Sequence, residues 1–337
     1  MMRDLQIPQN YKCTLSLRKT QKAIKTIKDT FQFTLSQVLN LDRITAPIIV
    51  TSQSGINDDL SGVERKVNFT VKELNEQSCE VVQSLAKWKR MALYRYGYNP
   101  GEGIYTDMNA LRRDDTLDNI HSIFVDQWDW ERIILKEERH LDFLKDIVIK
   151  IASAVSYTLS KLKEEFPEVK TEISDEVFFI TSQELEDMYP ALTPKERENA
   201  IVKKHKTVFL MQIGAKLKSG ERHDSRAADY DDWSLNGDLL YWNEVLGSAL
   251  EISSMGIRVD AKALDEQLSI AGNEERKKFK YHSMILNNEL PLTIGGGIGQ
   301  SRLCMLLLQK AHIGEVQVSI WSDEMIEECK KNGIVLL

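Results

Sequence analysis

Several absences narrow what this chain can be. Only four of its 337 residues are cysteine (Cys13, Cys79, Cys304 and Cys329). They lie far apart with no C-x-x-C pair, so neither a zinc site nor a disulfide framework is indicated, and free thiols in a reducing cytoplasm are expected. No apolar run reaches the roughly 20 residues of a membrane span, and the N-terminus, with Pro8, Asn10 and Lys12, lacks a signal-peptide core. Basic residues are outnumbered, 44 Lys and Arg against 51 Asp and Glu, for a net charge of -7. That balance argues against broad nucleic-acid binding and leaves local cationic clusters to meet small anions. Repeats and low-complexity linkers are missing as well. What is plentiful is core, since 42% hydrophobic residues suffice for one large domain or two.

Two phosphate-loop signatures also fail. The stretch TIGGGIGQSRLCMLLL, Thr293 to Leu308, holds Gly295, Gly296, Gly297 and Gly299. A G-x-G-x-x-G fingerprint started at Gly295 needs glycine at Gln300, and started at Gly297 it needs glycine at Arg302; a Walker loop needs glycine at Ile294 and G-K-[ST] where Gly299, Gln300 and Ser301 stand. Glycines here let main chain approach a phosphate, or serve only close packing. Leu303, Leu306 and Leu307 recur at helical spacing, so a helix starting near Ile298 is expected, with Arg302 one turn in facing the ligand.

Upstream, Ala23, Ile27, Phe31 and Leu35 predict an amphipathic helix over 16–40, and Pro47 among β-branched residues predicts an edge strand from Arg43 to Thr51. A polar loop, Gly55 to Gly62, carries the adjacent acids Asp58 and Asp59 and by itself reads first as a solvated turn. Short strands near 67–71 and 79–82 precede SLAKWKRMAL, a helix capped by Ser84. Lys87, Lys89 and Arg90 near its start oppose the macrodipole, so anions are expected beside them. The strand from His121 to Glu131 alternates: Phe124, Asp126, Trp128 and Trp130 share one face, and Gln127, Asp129 and Glu131 the other, suited to an amino group. A long helix over 137–165, strands over 177–180 and 207–214, a capping box at Thr181 and Glu184, and a charged helix from Pro194 follow. Asp238 and Glu251, on two neighbouring strands, are the hard oxygen donors that Mg2+ needs to bridge to phosphates. A final strand from Val316 to Ile320 and a helix close the chain.

The hairpin of Arg112 and VDQWDWE resembles the second signature motif of class II aminoacyl-tRNA synthetases, and GGGIGQSRL their third. SLAKWKR, GEGIYTDMNALR, VDQWDWER, RAADYDDW, NGD, EISSMGIRVDA and TIGGGIGQSRL together resemble the ammonia-dependent asparagine synthetases, the aspartate-ammonia ligases, over nearly the whole chain. The resemblance implies an α+β fold, a class II synthetase-like catalytic domain over residues 1–337 with an antiparallel sheet of about eight strands flanked by helices, acting as a homodimer. It implies that ATP converts L-aspartate to a β-aspartyl adenylate, which ammonia attacks to give asparagine and AMP. By the same resemblance Arg112 and Arg302 hold the phosphates, Asp238 and Glu251 hold Mg2+, and Asp58, Ser84, Lys89, Gln127, Asp129 and Ser254 surround aspartate. Arg226 and Asp231 lie along the nucleotide, and Asp58 is a candidate ammonium holder. One departure is the single residue between Trp233 and Leu235, where the family's pattern has a longer loop.

A true aspartyl- or asparaginyl-tRNA synthetase would need an anticodon module, for which the chain has no spare domain. A glutamine-using synthetase would need a terminal cysteine, whereas this chain begins Met1, Met2 with Cys13 further in. A non-catalytic adenylate binder on the same scaffold would not need Arg112, Arg302 and both metal acids.

Overall fold

The computed structural model describes residues 5–58, 60 and 64–337; Met1, Met2, Asp59 and Gly62 lie outside the described residues. Thr20, Ala23, Ile27, Phe31, Leu35 and Leu39, three or four residues apart, turn one side of helix α1 (Leu17–Leu39) into the core. The strands are β1 (Leu41–Arg43), β2 (Ile49–Thr51), β3 (Asn68–Val71), β4 (Gln77–Val81), β5 (Gly103–Leu111) and β6 (Phe124–Ile133). They continue with β7 (Phe178–Thr181), β8 (Thr207–Met211), β9 (Asp231–Asn243), β10 (Ser248–Arg258) and β11 (Thr293–Gly299). The remaining helices are α2 (Ala86–Tyr96), α3 (Leu141–Glu165), α4 (Ser182–Met188), α5 (Pro194–His205), α6 (Ala261–Ala271), α7 (Lys280–Leu286), α8 (Gln300–Leu307) and α9 (Asp323–Lys331).

Eight strands form one sheet in the order β1-β5-β6-β11-β10-β9-β8-β7, antiparallel except for the parallel pairs at its two edges. The expected α+β architecture is therefore present. A separate three-stranded sheet, β2-β4-β3, carries the polar loop. The alternation expected in β6 holds. Trp128 and Trp130 are fully buried against the cluster built by α1, α3 and α8, with Phe31 tilted on Trp128 at 4.7 Å between ring centroids. The opposite face of β6 is left to Gln127, Asp129 and Glu131.

Six expectations need correction. The extended stretch around Pro47 is two short strands in different sheets, because the proline has no N–H to keep one ladder running. Strand β6 starts at Phe124, three residues after His121. Ser84 does not cap α2: the N-cap is Leu85, without a side-chain bond, and Ser84 Oγ accepts from the Ala86 N–H at 3.1 Å. The glycines form β11 and α8 starts only at Gln300. No strand forms over Val316–Ile320, where Val318 and Ile320 point outward and Gln317 inward, bonded to Ser301 Oγ at 3.0 Å. The short stretch around Ser234 lies within β9 rather than in a separate loop, at an irregularity where Asp231 to Asn236 stands opposite only Gly256 to Arg258.

Candidate active site

Register across the sheet assembles one row of side chains. Asp129 on β6 faces Gly297 on β11, which faces Ser254 on β10, which faces Asp238 on β9. Directly opposed residues point to the same side of a sheet, so distant segments share this row. One row along, Glu131 faces Gly295. A β-bulge between Glu251 and Ser253 pairs Glu251 with Leu240 and so turns Glu251 to the face of Asp238.

Glycine is needed where these rows are crowded. A Cβ on Gly295 would land inside the contact distance of Glu131 Oε2 and lie 2.6 Å from Arg258 Nη2, and one on Gly297 would overlap the Gln127 amide. Gly296 faces the other way, where a Cβ would come 2.7 Å from the Ser254 carbonyl, and Gly299 has only the Arg302 side chain at 3.3 Å. Close packing between strands, with pocket side chains filling the space over the glycines, is thus what the first three require.

Those side chains form a buried charge network. Lys89 is ion-paired with Asp129, lies 3.8 Å from Glu131, and donates to the carbonyls of Trp130 at 2.8 Å and Gly296 at 3.2 Å. Burial presses its ammonium below the ordinary lysine value and pushes the Asp129 carboxyl up. Arg258 binds Glu131 at 2.7 Å and also pairs with Asp231. Burial alone would raise Glu131, yet Arg258 and Lys89 outweigh it and hold this carboxyl below its usual range. Thr293 Oγ1 completes the arrangement by donating to Glu131 at 2.6 Å. The anions expected beside the cations of α2 are therefore present, and Arg90 instead donates to the carbonyls of Val259 and Pro291 at 2.7 and 2.9 Å.

A second buried cluster supports the polar loop. Asp229 binds Lys87 at 2.9 Å, His282 at 2.9 Å and Arg276 at 3.1 Å; these partners together overcome burial and hold it far below the usual carboxylate range. Asp58 is nearby and 2% exposed, with Oδ2 lacking a hydrogen-bond partner. Burial pushes its carboxyl up and Asp229 adds to that, against the pull of Lys87 and Arg112.

Beside the network opens a cavity of about 670 Å³, lined by Arg112, Gln127, Arg226, Glu251, Ser254, Gly297, Gly299 and Arg302 among others. Arg112 and Arg302, 190 residues apart in sequence, share it. Asp58, Ser84, Lys89, Asp129, Asp231, Asp238, Gly295 and Gly296 do not line it; Lys89, Asp129 and Asp231 belong to the buried network at its side. Asp238 lies beneath the cavity wall, paired with Arg226, and burial together with Glu251 raises its carboxyl to about 7 against the pull of Arg226. Arg302 is placed from both ends. Its guanidinium donates to the carbonyl of Glu251 at 3.1 Å, while Asp126 accepts from the first turn of its helix at Ser301 N, 3.1 Å, and from Lys28 of α1 at 3.2 Å. The roles of Arg258, Asp229, His282 and Asp126 escaped the sequence reading, which called for an anion beside Lys87 without identifying Asp229. Among these four, Arg258 had a local signal, its even spacing from Ser254.

A family profile described as aspartate-ammonia ligase matches residues 18–333. The aspartate–ammonia ligase of Clostridium tetani is 59% identical over 331 residues, covering 98% of this chain and 97% of that protein, and the one of Levilactobacillus brevis is 55% identical, covering 98% and 99%. Among solved structures, asparaginyl-tRNA synthetase of Pyrococcus horikoshii complexed with asparaginyl-adenylate matches with a TM-score of 0.65 at 17% identity, over 89% of this chain and 68% of that one. The Entamoeba histolytica asparaginyl-tRNA synthetase matches at 0.62 and 15%, over 89% and 66%. These last two likenesses concern the fold alone.

Proposed function

The chain belongs to the aspartate-ammonia ligase family, and from that premise we propose how its own residues carry out the ligation. The enzyme converts L-aspartate and ammonia to L-asparagine, with ATP activating the side-chain carboxylate as β-aspartyl-AMP and AMP and pyrophosphate released. The observation that carries the assignment of residues is that Arg112 and Arg302 face one cavity whose wall includes Gly297, opposite the Lys89 partner Asp129, and Tyr230, whose ring lies under Arg258. A polyanion fits the first pair and a dicarboxylic amino acid the second.

Arg112 holds the α-phosphate and Arg302 the distal phosphates, stabilising charge that grows on phosphorus during transfer. Arg226 lies along the nucleotide. Lys89 meets an aspartate carboxylate, and Gln127 and Asp129 take the α-ammonium; Ser84 and Ser254 complete the amino-acid pocket. Asp231, out of the cavity, keeps Arg258 in place. Gly295 and Gly296 give room for this packing, and Gly297 and Gly299 expose main chain to the ligands. No side-chain nucleophile is required, because alignment of two bound reactants and charge stabilisation suffice.

Asp238 and Glu251 fit a hard divalent cation: both are oxygen donors on one face, and Asp238 Oδ1 is buried without a hydrogen-bond partner. Among the described residues no group of three or more His, Cys, Asp or Glu is placed to hold a metal, so phosphate oxygens and water must complete the shell. Mg2+ held there would neutralise phosphate charge and orient the triphosphate. We further assign the protein to the cytoplasm as one catalytic domain over residues 1–337 that pairs as a homodimer and needs no nucleic acid. Among the described residues no helix is long and apolar enough to cross a membrane. Phe33 on α1 and Ile48 and Ile49 beside Pro47 are exposed, as a seam between copies requires.

The decisive experiment is incubation with ATP, Mg2+, aspartate and ammonium, without tRNA or glutamine. Asparagine and AMP are expected in equal amounts, and the absence of either overturns the reading. Asp58 holds ammonium and accepts its proton. Asp58→Ala is accordingly expected to raise the ammonium requirement far more than it slows ATP–pyrophosphate exchange, and equal losses in both assays would refute that role.

A further inference from the structure

The two carboxylates suited to a divalent cation already have guanidinium partners. Arg226 is ion-paired with Asp238 through Nη2 and lies 3.0 Å from Asp224 through Nη1. Arg302 Nη1 stands 3.9 Å from Glu251 Oε2. The two pairs differ. Asp238 is buried in mid-strand, with one oxygen turned to Arg226 and the other unpartnered, whereas the Glu251 side chain is 40% exposed. Arg302 is also tied to the carbonyls of Glu251 and Ile120, so its place does not depend on the Glu251 carboxylate. Arg226 stands in the irregular segment between β8 and β9, where its side chain lines the cavity.

A divalent cation on the unpartnered oxygen of Asp238 would therefore lie within a few ångströms of a guanidinium on the other oxygen. Like charges that close, shielded from water, repel strongly. We infer that Arg226 is the exchangeable counter-cation of Asp238: a divalent ion takes this carboxylate only as Arg226 passes to the nucleotide's phosphates. Metal and nucleotide then bind cooperatively, and metal alone binds poorly. The exchange keeps the signs alternating, carboxylate against metal, metal against phosphate, phosphate against guanidinium. By linkage, whatever the nucleotide adds to metal affinity the metal adds to nucleotide affinity. The inference rests on the nucleotide reading of the cavity.

Free Mn2+, followed by its electron paramagnetic resonance signal, tests this on the full chain without nucleotide. Wild type and Arg226→Lys, which keep the charge, are expected to bind weakly. Arg226→Gln is expected to bind Mn2+ about tenfold more tightly or better, and adding Asp238→Asn to it removes the gain. An unchanged affinity in Arg226→Gln, a gain that survives Asp238→Asn, or a lysine variant that behaves like glutamine overturns the inference. Should the glutamine variant not fold, wild type alone decides. A non-hydrolysable ATP analogue, after correction for the Mn2+ it chelates in solution, must raise the protein's Mn2+ affinity, and no rise sinks the proposal. Asparagine production without the Mn2+ effect would refute the exchange only; the Mn2+ effect without asparagine production would refute the functional reading and leave the competition at Asp238 standing.

Discussion

At the end we assign to the amino acid, Lys89, Asp129, Glu131, Arg258 and Asp231 are buried, and each charge is met by an opposite one. At the end we assign to the nucleotide, Arg112, Arg226, Arg302 and Glu251 are each partly open to the cavity, and Arg302 and Glu251 face each other at 3.9 Å rather than in a close pair. The first end is part of the fold's interior, so its geometry is set before a ligand arrives. The second is a set of side chains free to change partners. Selectivity for a small dicarboxylate favours the rigid arrangement, and passage of a triphosphate favours the loose one.

The largest expected effect tests whether the two ends differ in this way. Glu131→Ala removes one of the two carboxylates that meet Arg258 and one of the two beside Lys89, leaving the buried network with an excess positive charge, and should cost about 3–5 kcal/mol of stability in thermal or denaturant unfolding. Arg302→Ala should lower kcat about 10²–10³-fold while its unfolding curve stays close to the parent's. Similar stability losses for both would erase the distinction.

A finer comparison lies within β11. Gly295→Ala pushes a methyl group into Glu131 and Arg258 and is expected to cost about 1–3 kcal/mol with a raised KM for aspartate. Gly299→Ala, near only the Arg302 side chain and at φ -64°, should remain within about 1 kcal/mol of the parent. Equal costs would mean that the glycines act through backbone freedom rather than through the side chains over them.

The smallest effect is expected at Asp126. Gly299 supplies no side-chain cap to α8, so the Asp126 carboxylate does so from the neighbouring strand. Asp126→Asn should cost about 1 kcal/mol and raise KM for ATP more than it lowers kcat. A change in kcat alone would separate Asp126 from the placement of Arg302.

Much of this was legible in the chain because it is local. The tryptophans of β6 alternate with Gln127, Asp129 and Glu131, and a period of two is enough to divide core from pocket. A capping box announced α4, Pro194 announced α5, and the leucines after Arg302 announced α8. Where local pattern has more than one solution, the reading failed. Val316–Ile320 looks like a strand, yet with no neighbour to pair with, it turns Val318 and Ile320 to solvent so that Gln317 can reach Ser301 and Asp126. Glycines suit a phosphate loop and a crowded strand equally, and only the neighbours of Gly295 and Gly297 distinguish the two.

The sequence by itself determined the helices, the two faces of β6 and the identity of the charged groups, because propensity and Cβ direction act over a few residues. Tertiary structure alone decided that β10 and β11 lie between the acids of β6 and Asp238, and that a bulge turns Glu251 to the same side. Strand neighbours and register follow from packing across the whole sheet, which no window of the chain contains.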